Sequence, residues 1–390
     1  MSNSFRPLHL TRKRPSSYNR AISATQHNLT SRILFGIAFL VVALSAKALT
    51  IISTFDATIT NDVNATTIES TINSAIQLYQ ARFSDPITVT IQFKQISTAG
   101  LYGSSQWWYY NQPYSSVRAA LVAHATTAND ALAVSLLPVG SINPVTGTSF
   151  VSIKTANMHA LGFSGSSGLA GGYDGIIGLN TAQLNLSRAS TVSTKGDLLS
   201  TACHEIDEIL GMSSGLDFAS PDPNPLPQDL FRYSSTGART YTTTGDDAYF
   251  SIDGTNLLVR CNQSLASGDM GDWWIAGAHT PRVQDATATN GKTPNPNVEL
   301  IALDVIGYTL VPVPKPVITS TTVSGSQLTI SGSNGMAVGN YVILASADIT
   351  APLSQWLPLS TNFQNNTGPF TFVVPNAVSN PNRFFALQVR

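Results

Sequence analysis

The chain predicts an α+β domain followed by a small antiparallel β-sandwich, and three features carry that expectation. Residues 49–200 mix short strand-like runs with helical stretches. Asp197 to Leu210 holds no Pro and no internal Gly, and it meets Gly211 where a helix is usually stopped. After the Pro-dense run Val311-Pro312-Val313-Pro314-Lys315-Pro316, apolar and polar residues alternate between Gly, Asn and Pro turns.

Residues 1–48 carry seven basic residues (Arg6, Arg12, Lys13, Arg14, Arg20, Arg32 and Lys47) and no acid. The apolar run Ile33 to Ala46 sits among them and ends in Ala46-Lys47-Ala48. A basic region, a hydrophobic core and a small-x-small site predict a secretory signal peptide over 1–48. Fourteen residues are short for a membrane span. Beyond the leader, 14 of the 21 basic residues face 22 acidic ones, a net charge of −8. That balance argues against nucleic-acid partners and anionic membrane surfaces. No later segment is apolar enough to span a bilayer. Only 11% of the chain is charged, a pattern of exported β-rich proteins, so a secreted, extracellular or periplasmic location is expected. Cys203 and Cys261 could pair in an oxidising compartment or remain buried thiols.

In residues 49–310, Ile68 to Phe83 has apolar residues at helical spacing, whereas Ile87–Ile91 and Ala131–Leu137 look like strands. Residues 311–316 are too rich in Pro for a helix or a central strand and make a linker. In 317–390 the alternating segments Gln327–Ile330, Tyr341–Leu344 and Phe370–Val373 supply the sandwich.

The chemistry concentrates in Thr201-Ala202-Cys203-His204-Glu205-Ile206-Asp207-Glu208-Ile209-Leu210-Gly211. The chain has only four Glu (69, 205, 208 and 299), and two of them stand here beside one of six His. Leu199, Ala202, Ile206, Ile209 and Leu210 form one apolar stripe. His204 and Glu208, four residues apart, share another face and can reach a single ion. Glu205 is turned about 100° from His204, beside the ion rather than on it, where a base can take a proton from water. Asp207 is expected to be solvated or to support the His204 ring.

Several short segments accompany this helix: Asp174-Gly175-Ile176-Ile177-Gly178-Leu179-Asn180, Asp229-Leu230-Phe231-Arg232-Tyr233-Ser234, Tyr249-Phe250-Ser251-Ile252-Asp253-Gly254, Gly268-Asp269-Met270-Gly271-Asp272-Trp273 and Leu303-Asp304-Val305-Ile306-Gly307-Tyr308. Together they resemble a family of exported bacterial metalloproteases with a His-Glu-Ile-x-Glu-Val-x-Gly helix, over roughly residues 50–310. The resemblance implies a zincin-like fold, with zinc on His204 and Glu208 and with Glu205 as base. The last 75 or so residues, with Trp356 and Arg383-Phe384-Phe385-Ala386-Leu387, are similar to the C-terminal β-sandwiches of secreted proteins from Verrucomicrobia-like bacteria. In metzincins the third ligand follows ten residues after the first His; here that position is Ser214, a poor ligand. Asp217 is taken as the third ligand, with Asp229, His124, His159 and His279 left open.

The implied activity is zinc-dependent endopeptidase chemistry on a protein or peptide substrate. One His and two carboxylates also suit harder ions such as manganese or calcium. Asp246, Asp247, Asp253, Asp269 and Asp272 lie in Gly-containing loops of a kind that suits calcium, though solvated turns are the favoured explanation and no twelve-residue calcium loop is present. Trp107-Trp108-Tyr109-Tyr110 and Trp273-Trp274 could line a cleft or anchor a core. The alternative function is a non-catalytic extracellular adhesion or matrix protein on a degenerate protease scaffold. The C-terminal module would act as a cell-surface or matrix attachment module or a substrate-binding accessory.

Overall fold

The structure is a computed structural model. It describes residues 48–390 apart from 219–220, 245–246, 276, 278, 313–314, 336–338, 365–367, 376, 378–382 and 390. The expected leader, save its last residue, therefore lies outside the described residues.

The chain runs through β1 (Thr50–Phe55), the one-turn α1 (Ala57–Thr60), α2 (Ala65–Gln80) and β2 (Thr88–Gln95). In α2 the buried residues Ile68, Ile72, Ala75, Ile76 and Tyr79 recur at three- and four-residue steps, the pattern that defines its core face. In β2, Val89, Ile91 and Phe93 are buried and alternate with more exposed neighbours, as a pleated strand requires. Next come β3 (Gly103–Trp107), β4 (Tyr109–Pro113), α3 (Tyr114–His124), α4 (Ala128–Ser135), β5 (Phe150–Lys154), α5 (Thr155–Ala160) and β6 (Gly175–Leu179). The main sheet has the order β1-β2-β6-β3. Its first three strands are parallel, and β3 runs antiparallel along one edge.

The strand expected over Ala131–Leu137 is instead mostly helix α4. Its residues alternate loosely, but Thr127 and Asp130 form a reciprocal capping box that starts a helix at Ala128. That end signal outweighs a short apolar alternation.

Two short strands, β7 (Leu184–Asn185) and β8 (Gly196–Asp197), lead into α6 (Leu198–Leu210). Asp197 caps α6 by accepting from the Ser200 amide at 3.0 Å, and Gly211 ends it at φ 132°. The helix packs against α2, β3 and β6, and the Tyr79 hydroxyl donates to the Cys203 carbonyl at 2.9 Å. Close contact with the sheet needs Gly175, because a Cβ there would stand 2.6 Å from Ile209 Cγ1.

After α6 come β9 (Arg232–Ser234), β10 (Ala248–Phe250) and β11 (Val259–Arg260), joined as a small sheet, then long loops and α7 (Val298–Val305). Among the described residues of 311–316 there is no helix or strand. The remaining strands are β12 (Val317–Ser324), β13 (Gln327–Gly335), β14 (Gly339–Ser346), β15 (Leu357–Gln364), β16 (Gly368–Val374) and β17 (Phe384–Val389). They form two antiparallel three-stranded sheets, β12-β13-β16 and β15-β14-β17. One apolar cluster draws Leu328, Ile330, Phe370 and Phe372 from the first sheet and Tyr341 and Ile343 from the second. It shares no residue with the main core. The molecule is thus a mixed α+β protein with several small sheets. No described helix is long and apolar enough to cross a membrane.

Candidate metal centre

Every residue of α6 is buried except His204, which is partly exposed. Its Nδ1 lies 3.0 Å from the Val283 carbonyl. A carbonyl can only accept, so Nδ1 carries the proton and the Nε2 lone pair is left for a cation. Nε2 is 3.6 Å from Glu208 Oε1 and 3.5 Å from Asp272 Oδ1. One ligand atom from each of His204, Glu208 and Asp272 falls within 4.8 Å of the others. The helical pair expected from the sequence is therefore brought together, and Asp272 joins it.

Asp217, expected as the third ligand, stands outside this group. One carboxylate oxygen accepts from the Ser214 amide at 2.8 Å, and the other accepts from the Met270 amide. Both oxygens are committed to backbone donors, so Asp217 holds the loop that delivers Asp272. Ser214 and Asp229 are engaged with each other: the Ser214 hydroxyl donates to Asp229 Oδ1 at 2.6 Å, and Asp229 Oδ2 accepts from the amides of Gly215 and Leu226. His159 contacts the Gly165 carbonyl and His279 contacts Asp285; neither they nor His124 belong to the group.

The Asp272 loop is built from segments the sequence had marked. Arg232 donates to the carbonyls of Met270 and Asn262 at 2.8 and 3.0 Å, and Gln228 donates to Gly271 at 2.7 Å. The Asn262 amide donates to the Asp272 carbonyl at 2.7 Å. Gly271 lies against the chain leaving α6, where a Cβ would be 2.6 Å from Ser213 Cα. The signal for Asp272 was the Gly268–Trp273 segment itself, although nothing local says that its second Asp points at a helix more than 60 residues earlier.

Strand β3 lies along the site, and its alternate residues each meet a different group. A Cβ on Gly103 would overlap Glu205 Oε1 and stand 2.8 Å from Glu205 Cδ, so the buried Glu205 carboxylate fills the place of a side chain. The Ser105 hydroxyl donates to Glu208 Oε2 at 2.5 Å. The Trp107 ring covers the Lys154 ammonium at 4.0 Å. Lys154, itself buried, donates to the Glu208 and Met212 carbonyls at 2.7 and 3.2 Å and to Ser213 Oγ at 2.5 Å. A cation at the carboxyl end of α6 also complements the helix dipole.

The electrostatics reflect crowding of like charge. Burial pushes the Glu205 carboxyl well above the usual range, and the negative charge of Glu208 adds to it. Burial likewise raises Asp272 to about 7. Burial works against charge on His204, but Asp272 and Glu208 overcome it and raise the imidazole. Glu208 is held down despite its burial, chiefly by the neighbouring His204 ring. Burial lowers Lys154 to about 8. A divalent cation among three such acceptors would relieve the repulsion, so the donor set fits a metal.

The centre opens into a cleft of about 1020 Å³. Its wall includes Trp107, Tyr109 and Phe218, whose rings lie 5.7–5.8 Å apart, and Asp269 and Asp217 lie along it. Trp107–Tyr110 thus face the cleft, whereas Trp273 is core, its indole donating to Glu299 at 2.9 Å. The acidic residues considered for calcium do not act together. Asp247 pairs with Arg260, Asp253 accepts from the Thr255 and Asn256 amides, and Asp269 and Asp272 belong to the cleft. Asp246 lies outside the described residues. Asp207 is neither solvated nor the partner of the His204 ring: it is fully buried, and burial followed by the nearby Glu299 raises its carboxyl well above the usual range. Cys203 and Cys261 are both buried and unpaired.

Comparison with protein families, with curated proteins and with solved structures finds no match to this chain.

Proposed function

We propose that this chain is a secreted, metal-dependent endopeptidase of zincin type, with His204, Glu208 and Asp272 as the protein ligands and Glu205 as the general base. The observation that carries this is Glu205: a buried carboxylate of raised proton affinity, beside a three-ligand group yet outside it. A closed structural site has no use for such a residue. Zinc is the ion proposed. When bound it would polarise a scissile carbonyl as a Lewis acid and lower the proton affinity of water.

The residues of the chain then divide the work. Glu205 takes the proton from the attacking water and passes it to the leaving amine nitrogen; burial and the charge of Glu208 raise its affinity for that proton. Ser105 orients Glu208 through its second oxygen, and the Val283 carbonyl keeps the proton of His204 on Nδ1. Strand β3 has its unpaired edge beside the cleft, where main-chain groups can receive an extended peptide as one more strand. The helix beneath a sheet with an antiparallel edge strand supports the zincin assignment. The two sheets sharing one cluster support a C-terminal β-sandwich, proposed as a surface-attachment module. Export rests on the basic leader and the acidic remainder.

Ser214 had favoured the non-catalytic alternative by leaving the third ligand open. Asp272, close to both His204 and Glu208, offers a third ligand and so supports the enzymatic reading. The test is zinc content by mass spectrometry alongside casein cleavage, for wild type and Glu205→Gln. About one zinc per chain in both proteins is expected, with cleavage reduced by a factor on the order of 10²–10⁴ in the variant. Equal cleavage by the variant would remove Glu205 as base; no zinc in wild type would remove the enzyme.

A further inference from the structure

The backbone that orients His204 continues into a residue that reaches the same ring from its other nitrogen. Gln284 Nε2 lies 3.1 Å from His204 Nε2 and 2.8 Å from Asp272 Oδ1. Both atoms are candidate ligand atoms of the centre. Gln284 is only 1% exposed, and its Oε1 has no hydrogen-bond partner among the described residues. Its backbone is fixed at both ends: the amide donates to Glu299 Oε1 at 3.1 Å, and the carbonyl accepts from the Trp273 amide at 2.8 Å. What remains free to turn is the terminal carboxamide.

With His204 neutral, as a metal ligand must be, Nε2 and Asp272 Oδ1 are both acceptors, and the N–H groups of that carboxamide and a cation compete for them. A half-turn of the amide exchanges nitrogen for oxygen with almost no change of shape. Either orientation leaves one polar end of the amide in the same partnerless buried space, at a similar cost. The choice is therefore set by what stands between His204 and Asp272. Two bare acceptors favour the N–H groups, and a cation favours the oxygen. We infer that Gln284 is a fourth ligand of the centre through Oε1, its amide turning over as the ion enters. This rests on the metal-site assignment above.

The resulting donor set is one imidazole nitrogen and three oxygens, two of them anionic. Such a set extends the range of acceptable ions toward harder cations. Zinc expanded to five ligands, or a larger cation, would still keep a position for water.

The experiment is a zinc titration of the purified chain in competition with a chromophoric chelator, on wild type and Gln284→Leu, with circular dichroism as the folding control. The expected result is at least about tenfold weaker zinc binding by the variant. Equal or tighter binding by a folded Gln284→Leu would overturn the inference while leaving the three-ligand centre intact, because the amide would then only cap the empty site. No zinc binding by wild type would instead remove the centre itself. A crystal structure of zinc-loaded wild type decides the matter without the variant. Oε1 at about 2.0–2.2 Å from the ion supports the assignment, and an amide turned away from the ion overturns it.

Discussion

Glu205 and Gly103 show how narrowly one atom can be placed. The carboxylate of Glu205 occupies the space a Cβ would take on Gly103, so strand and carboxylate are fitted to each other. Gly103→Ala should leave the fold intact, because the clash falls on the far end of a side chain. The carboxylate must then move by roughly 1 Å, a displacement that can cost about 10²-fold in rate. The expected outcome is a loss of kcat of that order in a peptide-cleavage assay, with zinc content unchanged. Unchanged kcat would mean that Glu205 does not need its present position. Asp217 and Asp272 make the complementary point. Both were visible in the sequence as acidic residues beyond the helix, and their placement and backbone partners separate them. Asp217 is consumed by two backbone amides, whereas Asp272 keeps an oxygen turned toward His204.

At the scale of elements, the site is a helix read by a strand. Residues at every second position of β3 meet Glu205, Glu208 and Lys154 in turn, because a strand presents one face at a period of two. Lys154, at the end of β5, closes the arrangement by gathering acceptors at the carboxyl end of α6. Lys154→Met would leave those acceptors buried without their charged donor and should destabilise the protein by about 2–3 kcal/mol, measured by urea denaturation of the metal-free chain. Full stability in the variant would mean that solvent replaces the ammonium. The elements also show where local patterns mislead. Residues 131–137 looked like a strand, but the Thr127–Asp130 box fixed a helix start that short alternation could not outweigh.

At the scale of the molecule, burial of acids couples the fold to pH. Asp304, in α7, is buried and bonded to Thr127 at 2.7 Å, and burial raises its carboxyl to about 7. Its pKa is higher folded than unfolded, so the native state holds a proton that the unfolded chain releases above about pH 4. Stability from this group is therefore complete at low pH and declines as pH rises from about 4 to 7, with no further loss above that. Asp304→Asn should remove that decline: melting temperatures of wild type relative to the variant should fall across this window. Parallel curves would show that Asp304 titrates normally.

The sequence by itself determined the period-bound features. These are the α6 helix with its stop at Gly211, the shared face of His204 and Glu208, the position of Glu205 beside them, and the change to alternating strands after residue 316. Each follows from spacing within a turn or two of chain. Only the tertiary structure decided the rest: Asp272 rather than Asp217 beside His204 and Glu208, the approach of Gln284, the edge strand beside the cleft, the burial of Asp207 and the unpaired cysteines. Those depend on which distant segments meet once apolar faces are buried, and no local period encodes that distance.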